Sequence, residues 1–100
     1  METYDIIIIG AGPAGCTAAI YCARRNLKTA LLETKVVGGL FINAGIIENY
    51  PGFEKISGVE LAQKFQKQIE NLPIKLIYDS VSTLKKKNNL FILNNYHLSL

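Results

Sequence analysis

The chain has 100 residues, a hydrophobic fraction of 49% and a net charge of +3, which indicate one small folded α/β domain rather than a disordered tail. No apolar run approaches the roughly 20 residues that a membrane-spanning helix needs. The amino end has acidic residues, Glu2 and Asp5, where a secretory signal would have basic ones. We therefore expect a cytosolic protein with no membrane partner.

The basic residues do not indicate a nucleic-acid partner. The cluster Lys85 to Lys87 runs into Asn88 and Asn89 between two apolar segments. Neither interleaved aromatic residues nor a second basic stripe accompanies it. The pattern favours a solvated turn in a β-hairpin made by Val81 to Leu84 and Leu90 to Leu93, and it argues against nucleic acid.

The two cysteines and the histidine do not indicate a metal or redox site. Cys16 and Cys22 are six residues apart on one predicted helix, so they lie about two turns apart, beyond disulfide reach. There is no C-x-x-C pair and no cluster at metal-ligand spacing. We expect packing cysteines, no bound metal and a surface position for His97.

A strand followed by glycines is the strongest functional pattern in the chain. Ile6 to Ile9 are four consecutive β-branched residues, which is typical of a core strand buried on both faces of a parallel sheet. The spacing G-x-G-x-x-G follows at once, at Gly10, Gly12 and Gly15. Gly10 lets the chain turn sharply, Gly12 leaves space for a pyrophosphate, and Gly15 lets helix and strand pack closely. Pro13 suits the first helical turn.

The residues after this glycine loop complete a βαβ unit. The first helix is expected from about Pro13 to Arg25, ending at a left-handed Asn26, and its positive end favours an anion such as a diphosphate. The second strand, Thr29 to Leu32, ends at Glu33, which can accept hydrogen bonds from both hydroxyls of an adenosine ribose. The unit predicts dinucleotide binding; the alternative is that the glycines only shape a tight turn.

Residues 34–53 are rich in glycine and have no sustained period of 2 or 3.6, which is typical of a functional loop. Gly38 and Gly39 would let the backbone pass close to a flat ring or a phosphate. Asn43 and Asn49 offer neutral donors and acceptors. Ligand contact and a purely structural excursion both fit this pattern.

The second half of the chain predicts one helix and one more parallel strand before the hairpin. Ser57 to Asn71 forms the helix, with a capping box between Ser57 and Glu60. Its apolar stripe consists of Leu61, Ala62, Phe65, Ile69 and Leu72. Ile74 to Tyr78 is the strand, reached by a right-handed crossover, and residues 96–100 have no interpretable pattern.

Several motifs together resemble the N-terminal part of the low-molecular-weight thioredoxin reductases. They are Y-D-I-I-I-I-G-A-G-P-A-G, Gly38-Gly39, I-E-N-Y-P-G-F over Ile47 to Phe53, and Ile56-Ser57-Gly58 with Glu60-Leu61. The likeness covers nearly the whole chain, and I-E-N-Y-P-G-F is the most specific motif. The resemblance implies a Rossmann-like FAD-binding unit, a parallel sheet with a short β-hairpin, and electron transfer from NADPH through FAD to a disulfide.

By position, the resemblance also implies the residues that contact FAD. The glycine loop would hold the pyrophosphate, Glu33 the ribose and the backbone of Val81 the adenine. The two glycines and two asparagines of residues 34–53 would lie towards the flavin, where Leu40 replaces the glutamine of many bacterial members and a polar contact would be missing. The expected cofactor-binding residues are Gly10, Ala11, Gly12, Pro13, Ala14, Gly15, Glu33, Gly38, Gly39, Asn43, Asn49 and Val81.

In that family the hairpin precedes a strand ending in A-T-G, an NADPH domain with a second glycine fingerprint and a C-x-x-C, and a return to the FAD domain; none occurs in residues 1–100. The first strand, central in a Rossmann order, would then lack one neighbour and favour association. We expect a partial FAD/NAD(P)-binding domain over residues 1–100, truncated or half of a split reductase, without catalytic residues of its own. A complementary C-terminal chain is a candidate partner, and the full enzyme would be a homodimer acting on a thioredoxin-like protein.

Other functions stay open at this point. One is a related flavoprotein of the ferredoxin:NADP reductase type, although I-E-N-Y-P-G-F argues against it. Another is a non-catalytic nucleotide-binding or interaction module. NAD(P) could replace FAD: Glu33 would repel a 2′-phosphate, but Lys35 nearby weakens that objection.

Overall fold

A computed structural model describes residues 2–99, apart from the side chains of Leu40, Phe41 and Ser99. Neither α-helix in this described part of the chain is long and apolar enough to cross a membrane. In chain order the elements are β1 (Thr3–Tyr4), β2 (Ile6–Ile9), α1 (Pro13–Arg24), β3 (Thr29–Glu33), a 3₁₀ helix (Gly39–Asn43), β4 (Ile46–Ile47), β5 (Ile56–Ser57), α2 (Gly58–Glu70), β6 (Ile74–Tyr78), β7 (Leu84–Lys87), β8 (Leu90–Leu93) and β9 (Tyr96–Ser99).

The central sheet confirms the three predicted parallel strands. Its order is β2-β3-β6, and both pairs are parallel. The middle strand β3 is buried from Thr29 to Leu32. The expectation that Ile6 to Ile9 is buried on both faces is wrong: its first three residues are half-buried and Ile9 is 59% exposed. The reason is that β2 has β3 on one side and, among the described strands, no neighbour on the other.

Helix α1 packs on this sheet through small side chains. Cys16, Ala19 and Ala23 are its buried residues, which confirms the packing role of the first cysteine, and both cysteines are free thiols. Burial raises the pKa of Cys16 to about 11, so its thiol stays protonated and inert at neutral pH. The helix ends one residue earlier than predicted, and Asn26 has the expected left-handed backbone, with φ +61°.

Helix α2 covers the same face of the molecule. Its predicted cap is present: the N–H of Glu60 donates to Ser57 Oγ at 3.0 Å. Of the predicted stripe, Leu61, Ala62 and Ile69 are buried. Before this helix, β4 and β5 pair as a short antiparallel ribbon, which the sequence analysis missed because two residues per strand are too few to establish a period of 2.

The end of the chain forms a second sheet, in the order β1-β9-β8-β7. The predicted hairpin is confirmed, but its limits differ. The three lysines lie in strand β7, with Lys87 opposite Leu90, so Asn88 and Asn89 alone make the turn and Asn88 has φ +56°. Residues 81–83 lie outside the strand.

Strand β9 was not predicted. It pairs antiparallel with β8 and parallel with β1, from the opposite end of the chain. His97 is therefore a half-buried strand residue rather than a surface one, and its N–H donates to the backbone oxygen of Glu2 at 3.0 Å. A four-residue strand whose partner lies more than ninety residues away leaves little local pattern to detect.

Tyr4 joins the two sheets. Its side chain is 1% exposed and packs in one cluster with Ala30 and Leu32 of the central sheet and Leu93 of the second sheet. Its hydroxyl donates to the carboxylate of Glu2. Burial and then this hydrogen bond raise the pKa of Tyr4 to about 12, so the ring stays neutral and the two sheets keep a fixed apolar contact.

Candidate dinucleotide-binding site

Two glycines of the loop between β2 and α1 are required by the fold. Gly10 has φ +98°, a backbone region that residues with a side chain rarely adopt, and its N–H donates to the oxygen of Leu32 at 2.7 Å. A Cβ on Gly15 would lie 1.8 Å from the backbone oxygen of Gly10. The predicted structural roles of these two glycines, a sharp turn and close helix packing, are confirmed.

Gly12 differs from both. It caps α1 with φ −77°, which any residue can adopt, and a Cβ built on it would meet nothing within 4 Å. Neither the backbone nor the packing of the described residues requires a glycine here. The open space lies where helix α1 begins.

Backbone donors without a partner lie at the same end of helix α1. Among residues 2–99, no hydrogen bond is made by the N–H groups of Gly12, Ala14 or Gly15, and Pro13 has no N–H. The four positions form the cap and first turn of a 12-residue helix, where unpaired N–H groups and the helix dipole favour an anion.

Glu33 is fixed beside the glycine loop. Its Oε1 accepts the N–H of Ala11 at 2.9 Å, and its Oε2 accepts the N–H of Lys35 at 2.9 Å and the hydroxyl of Thr34 at 3.5 Å. Partial burial raises the pKa of Glu33, but these hydrogen bonds outweigh it, so the pKa lies below its ordinary value of 4.5. The side chain is therefore a carboxylate at neutral pH.

Gly38 and Gly39 bring the loop that follows β3 against the glycine loop at residues 10–15. Gly38 has φ +104° and its N–H donates to the oxygen of Ala11 at 2.7 Å, while a Cβ on it would lie 2.4 Å from that of Ala62. Gly39 has φ +60°, and its Cβ would lie 3.4 Å from Gly12 Cα. The structure thus gives both glycines a packing role that the sequence did not reveal.

The predicted site residues do not all line one cleft. A cleft of about 340 Å³ is lined by Glu33, Lys35, Val36, Gly39, Ile42 and Asn43, so one of the two asparagines joins the carboxylate. Asn49 lines a separate, larger cleft of about 530 Å³, formed by residues 48–54. The prediction for the Leu40 side chain lies outside the described residues.

Val81 follows the end of β6. The N–H of Asp79 donates to the backbone oxygen of Glu33 at 3.1 Å, so the segment leaving β6 starts beside the strand that ends in the carboxylate. Val81 is 38% exposed. Within residues 2–99, neither its N–H nor its carbonyl oxygen makes a hydrogen bond. Asn94, which the sequence analysis missed, holds the residues on both sides of it.

Comparisons with known proteins identify relatives over most of the chain. Residues 4–95 match the family described as pyridine nucleotide-disulphide oxidoreductase. The chain is 46% identical over 80 residues to the thioredoxin reductase of Bacillus subtilis (strain 168), covering 80% of this chain and 25% of that protein. It is 43% identical over 93 residues to the thioredoxin reductase of Treponema pallidum (strain Nichols), covering 91% of this chain and 30% of that protein.

A solved structure gives the same result. The chain is similar to the crystal structure of thioredoxin reductase from Streptococcus pyogenes MGAS5005, with a TM-score of 0.92 and 39% identity over 98% of this chain and 33% of that one. The chain therefore spans a quarter to a third of the length of these relatives. On sequence and on fold alike, it belongs to the pyridine nucleotide-disulphide oxidoreductase family and matches the N-terminal part of thioredoxin reductases.

Proposed function

We propose that this chain is the FAD-binding portion of a thioredoxin-reductase-like flavoprotein that passes electrons from NADPH through FAD to a protein disulfide. The family implies a flavin in general, and bound FAD would supply the chemistry that takes up a hydride and delivers two electrons. The role of this chain is to bind and orient the cofactor.

The proposal rests chiefly on Gly12. The fold requires its two companion glycines, but nothing in the described residues requires this one. A pyrophosphate at the start of α1 would explain why residue 12 is a glycine, because it would occupy the space of a side chain. It would also accept hydrogen bonds from the unpaired N–H groups of Gly12, Ala14 and Gly15. Ala11 and Pro13 complete the loop around it.

Glu33 fits the adenosine ribose. Its two oxygens have about four lone-pair sites between them, and the hydrogen bonds from Ala11, Lys35 and the Thr34 hydroxyl fix the orientation of the carboxylate and use three of those sites. One ribose hydroxyl can donate to the remaining site, and the second can replace the long 3.5 Å contact from the Thr34 hydroxyl. The negative charge also disfavours a 2′-phosphate, which supports FAD over NADP at this site.

The remaining residues would surround the two ends of FAD. The N–H and carbonyl oxygen of Val81 complement the N1 acceptor and N6 donor of adenine. Gly38 and Gly39 would lie along the flavin side of the cofactor. Asn43 and Asn49 would approach the isoalloxazine ring from the two clefts that they line.

The activity and partners of the whole enzyme are part of the same proposal. The electron acceptor would be the disulfide of a thioredoxin-like protein, and the complete enzyme would be a cytosolic homodimer. The side of β2 that has no neighbour among the described strands favours pairing with a further strand, which a complementary chain carrying the NADPH domain would supply. A monodisperse monomer that unfolds cooperatively without any partner would contradict the complementary chain.

Substitution of Gly12 tests the cofactor directly. Serine is among the preferred helix N-caps, and the space beside Gly12 is open, so Gly12→Ser should fold like the wild type. Its side chain would occupy the proposed pyrophosphate position, and we expect the affinity for FAD, measured by equilibrium dialysis, to fall at least about tenfold, or ~1.4 kcal/mol.

The matched control is Ala18→Ser, which adds the same hydroxyl to an exposed position of α1 and should bind FAD like the wild type. Equal FAD affinity of Gly12→Ser and the control would contradict the pyrophosphate site. A wild-type chain that binds no FAD would contradict the proposed function and favour a non-catalytic module.

A further inference from the structure

We propose that Asn94 is a positioning residue for the adenine ring, which it serves by fixing the backbone on both sides of Val81. This inference rests on the proposed function, because it needs an adenine nucleotide at that backbone. It assigns a role to a residue 13 positions beyond Val81 that has no expected contact with the cofactor.

The Asn94 side-chain amide forms a hydrogen-bonded clamp, by which we mean its bonds to Ser80, Ser82 and Thr83 in the segment at residues 80–83. Its Oδ1 accepts the N–H and the hydroxyl of Ser82, both at 2.9 Å, and the N–H of Thr83 at 3.2 Å. Its Nδ2 donates to the backbone oxygen of Ser80 at 2.8 Å. One side chain therefore holds the residues before and after Val81, and leaves the polar groups of Val81 unused.

The clamp itself is anchored on the second sheet. Asn94 lies in the two-residue turn between β8 and β9, where Leu93 pairs with Tyr96. Its φ of +51° is in the left-handed region that asparagine tolerates better than other residues with a side chain. Its N–H also donates to the oxygen of Thr83 at 3.0 Å.

The other end of the segment is attached to the ribose site. The N–H of Asp79 donates to the backbone oxygen of Glu33 at 3.1 Å, and Asp79 Oδ1 accepts the N–H of Ser80 at 2.8 Å. Val81 is thus held between the end of β3 and the Asn94 amide. Both fixed points determine where its N–H and carbonyl oxygen lie relative to the Glu33 carboxylate.

These hydrogen bonds do not serve core packing. Every residue from 79 to 83 is exposed, and Val81, the one apolar side chain among them, is still 38% exposed, so core packing gives little reason for the segment to be ordered. Ordering an exposed segment costs conformational entropy, and four hydrogen bonds from one side chain offset that cost. A binding role for the backbone at Val81 explains why this segment is ordered.

The test compares two matched variants, Asn94→Gly and Asn88→Gly. Both positions are left-handed asparagines in two-residue turns of the same sheet, and glycine keeps that backbone, so only the amide is lost. The probes are ADP and inosine diphosphate, titrated calorimetrically into the full chain. Hypoxanthine has a donor at N1 and an acceptor at position 6, which reverses the pattern of adenine.

We expect the wild type and Asn88→Gly to prefer ADP by roughly tenfold, and Asn94→Gly to lose most of that preference, because each correctly paired hydrogen bond is worth several-fold in affinity. A general loosening of the fold would weaken both nucleotides equally and leave the ratio unchanged. That result would overturn a positioning role for Asn94.

Asn94→Asp is the conservative variant. Aspartate keeps the acceptor for Ser82 and Thr83 and loses the donor to Ser80, so it should recover part of the ADP preference that Asn94→Gly loses. No recovery would contradict the role assigned to Oδ1. Amide hydrogen exchange gives a ligand-free readout: exchange of Ser82 and Thr83 should accelerate in Asn94→Gly, and unchanged exchange would also overturn the inference.

The two proposals fail in different ways. A wild-type chain that binds neither ADP nor FAD overturns the proposed function, and this inference with it. A wild-type chain that prefers ADP, together with an Asn94→Gly variant that keeps the same preference, overturns the role of Asn94 alone and leaves FAD binding intact.

Discussion

Two segments offer unpaired backbone groups at the proposed site, and they are held in opposite ways. The loop at residues 10–15 keeps its shape through missing side chains: the backbone of Gly15 passes so close to Gly10 that one added carbon would collide with it. The segment at residues 80–83 keeps its shape through the presence of one side chain, that of Asn94.

The difference predicts how each segment responds to change. A loop held by close backbone packing tolerates no extra atom at its contact points, but it depends on no distant partner. A segment held by hydrogen bonds has space around it, but all of its order depends on one residue in another turn. The glycine loop at residues 10–15 should lose its structure abruptly when atoms are added to it. The segment at residues 80–83 should lose its order gradually when side-chain atoms of Asn94 are removed.

The largest effect should come from Gly15→Ala. Its Cβ would lie 1.8 Å from a backbone oxygen that cannot rotate away, so helix α1 must move off β2, at a cost of about 3 kcal/mol. Urea unfolding followed by circular dichroism would measure the loss. Gly12→Ala is the control, with an open site and an expected loss under about 1 kcal/mol; similar losses in both variants would contradict the packing difference.

A smaller loss, about 2 kcal/mol, is expected for Gly38→Ala, which combines a left-handed backbone with overlap onto the Ala62 side chain. Combining it with Ala62→Gly removes the 2.4 Å contact with the Ala62 Cβ, but leaves a 2.9 Å contact with the Cα of residue 62 and the cost of the left-handed backbone. Unfolding free energies of the two single variants and the double variant should therefore show coupling of about 1 kcal/mol. Strict additivity would show that the overlap is relieved elsewhere.

Substitutions of Asn94 should lower the free energy of unfolding by an intermediate amount. Two variants separate the contribution of its side chain from that of its left-handed backbone. Asn94→Gly loses exposed hydrogen bonds, for which we expect about 1 kcal/mol. Asn94→Ala loses the same bonds and also holds a Cβ at φ +51°, which adds about 1 kcal/mol. Thermal unfolding of both variants measures the difference, and equal stability would mean that the turn relaxes to another backbone conformation.

The smallest effect is the acid response of Glu33. Because the pKa of Glu33 in the folded chain lies below 4.5, its hydrogen bonds stabilise the fold fully above about pH 4.5 and are lost as the pH falls through the folded pKa. The stability advantage of wild type over Glu33→Gln should therefore shrink between neutral pH and the acid range. Denaturant titrations across that range would show it, whereas a constant difference would exclude this carboxylate as the cause.

How far the sequence predicts these features depends on how far apart the interacting residues lie. Gly10, Gly15 and Glu33 belong to one short βαβ unit, so their spacing was sufficient to predict the turn, the close packing and the strand end. The clamp at Asn94 joins residues 11 to 14 positions apart across a turn, and no periodic pattern marks it. The packing of Gly38 on Ala62 could not be predicted from the sequence for the same reason, because no periodic pattern links the two residues.

Burial was misjudged where neighbours decide it. Ile6 to Ile9 has the composition of a core strand. Apolar residue types predict that a strand tends to be buried, but they do not predict how many strands lie beside it. Strand β9 was missed because one of its partners, β1, lies at the other end of the chain. The lysines were assigned to the turn because they run into Asn88 and Asn89 between two apolar segments, yet an outer strand exposed along its length accommodates them.

The two outer strands β2 and β7 also make the chain respond to ionic strength. An apolar hollow of about 190 Å³ lies between β2 and the second sheet and is lined on one side by Ile7 and Ile9, while β7 presents three lysines to solvent. In dilute buffer, repulsion between the lysines of two copies opposes pairing at β7, so we expect copies to associate through the unpaired edge of β2. Concentrated salt screens that repulsion and strengthens apolar contact. Salting the chain out should therefore join copies through both outer strands, β2 and β7, and produce extended aggregates instead of pairs.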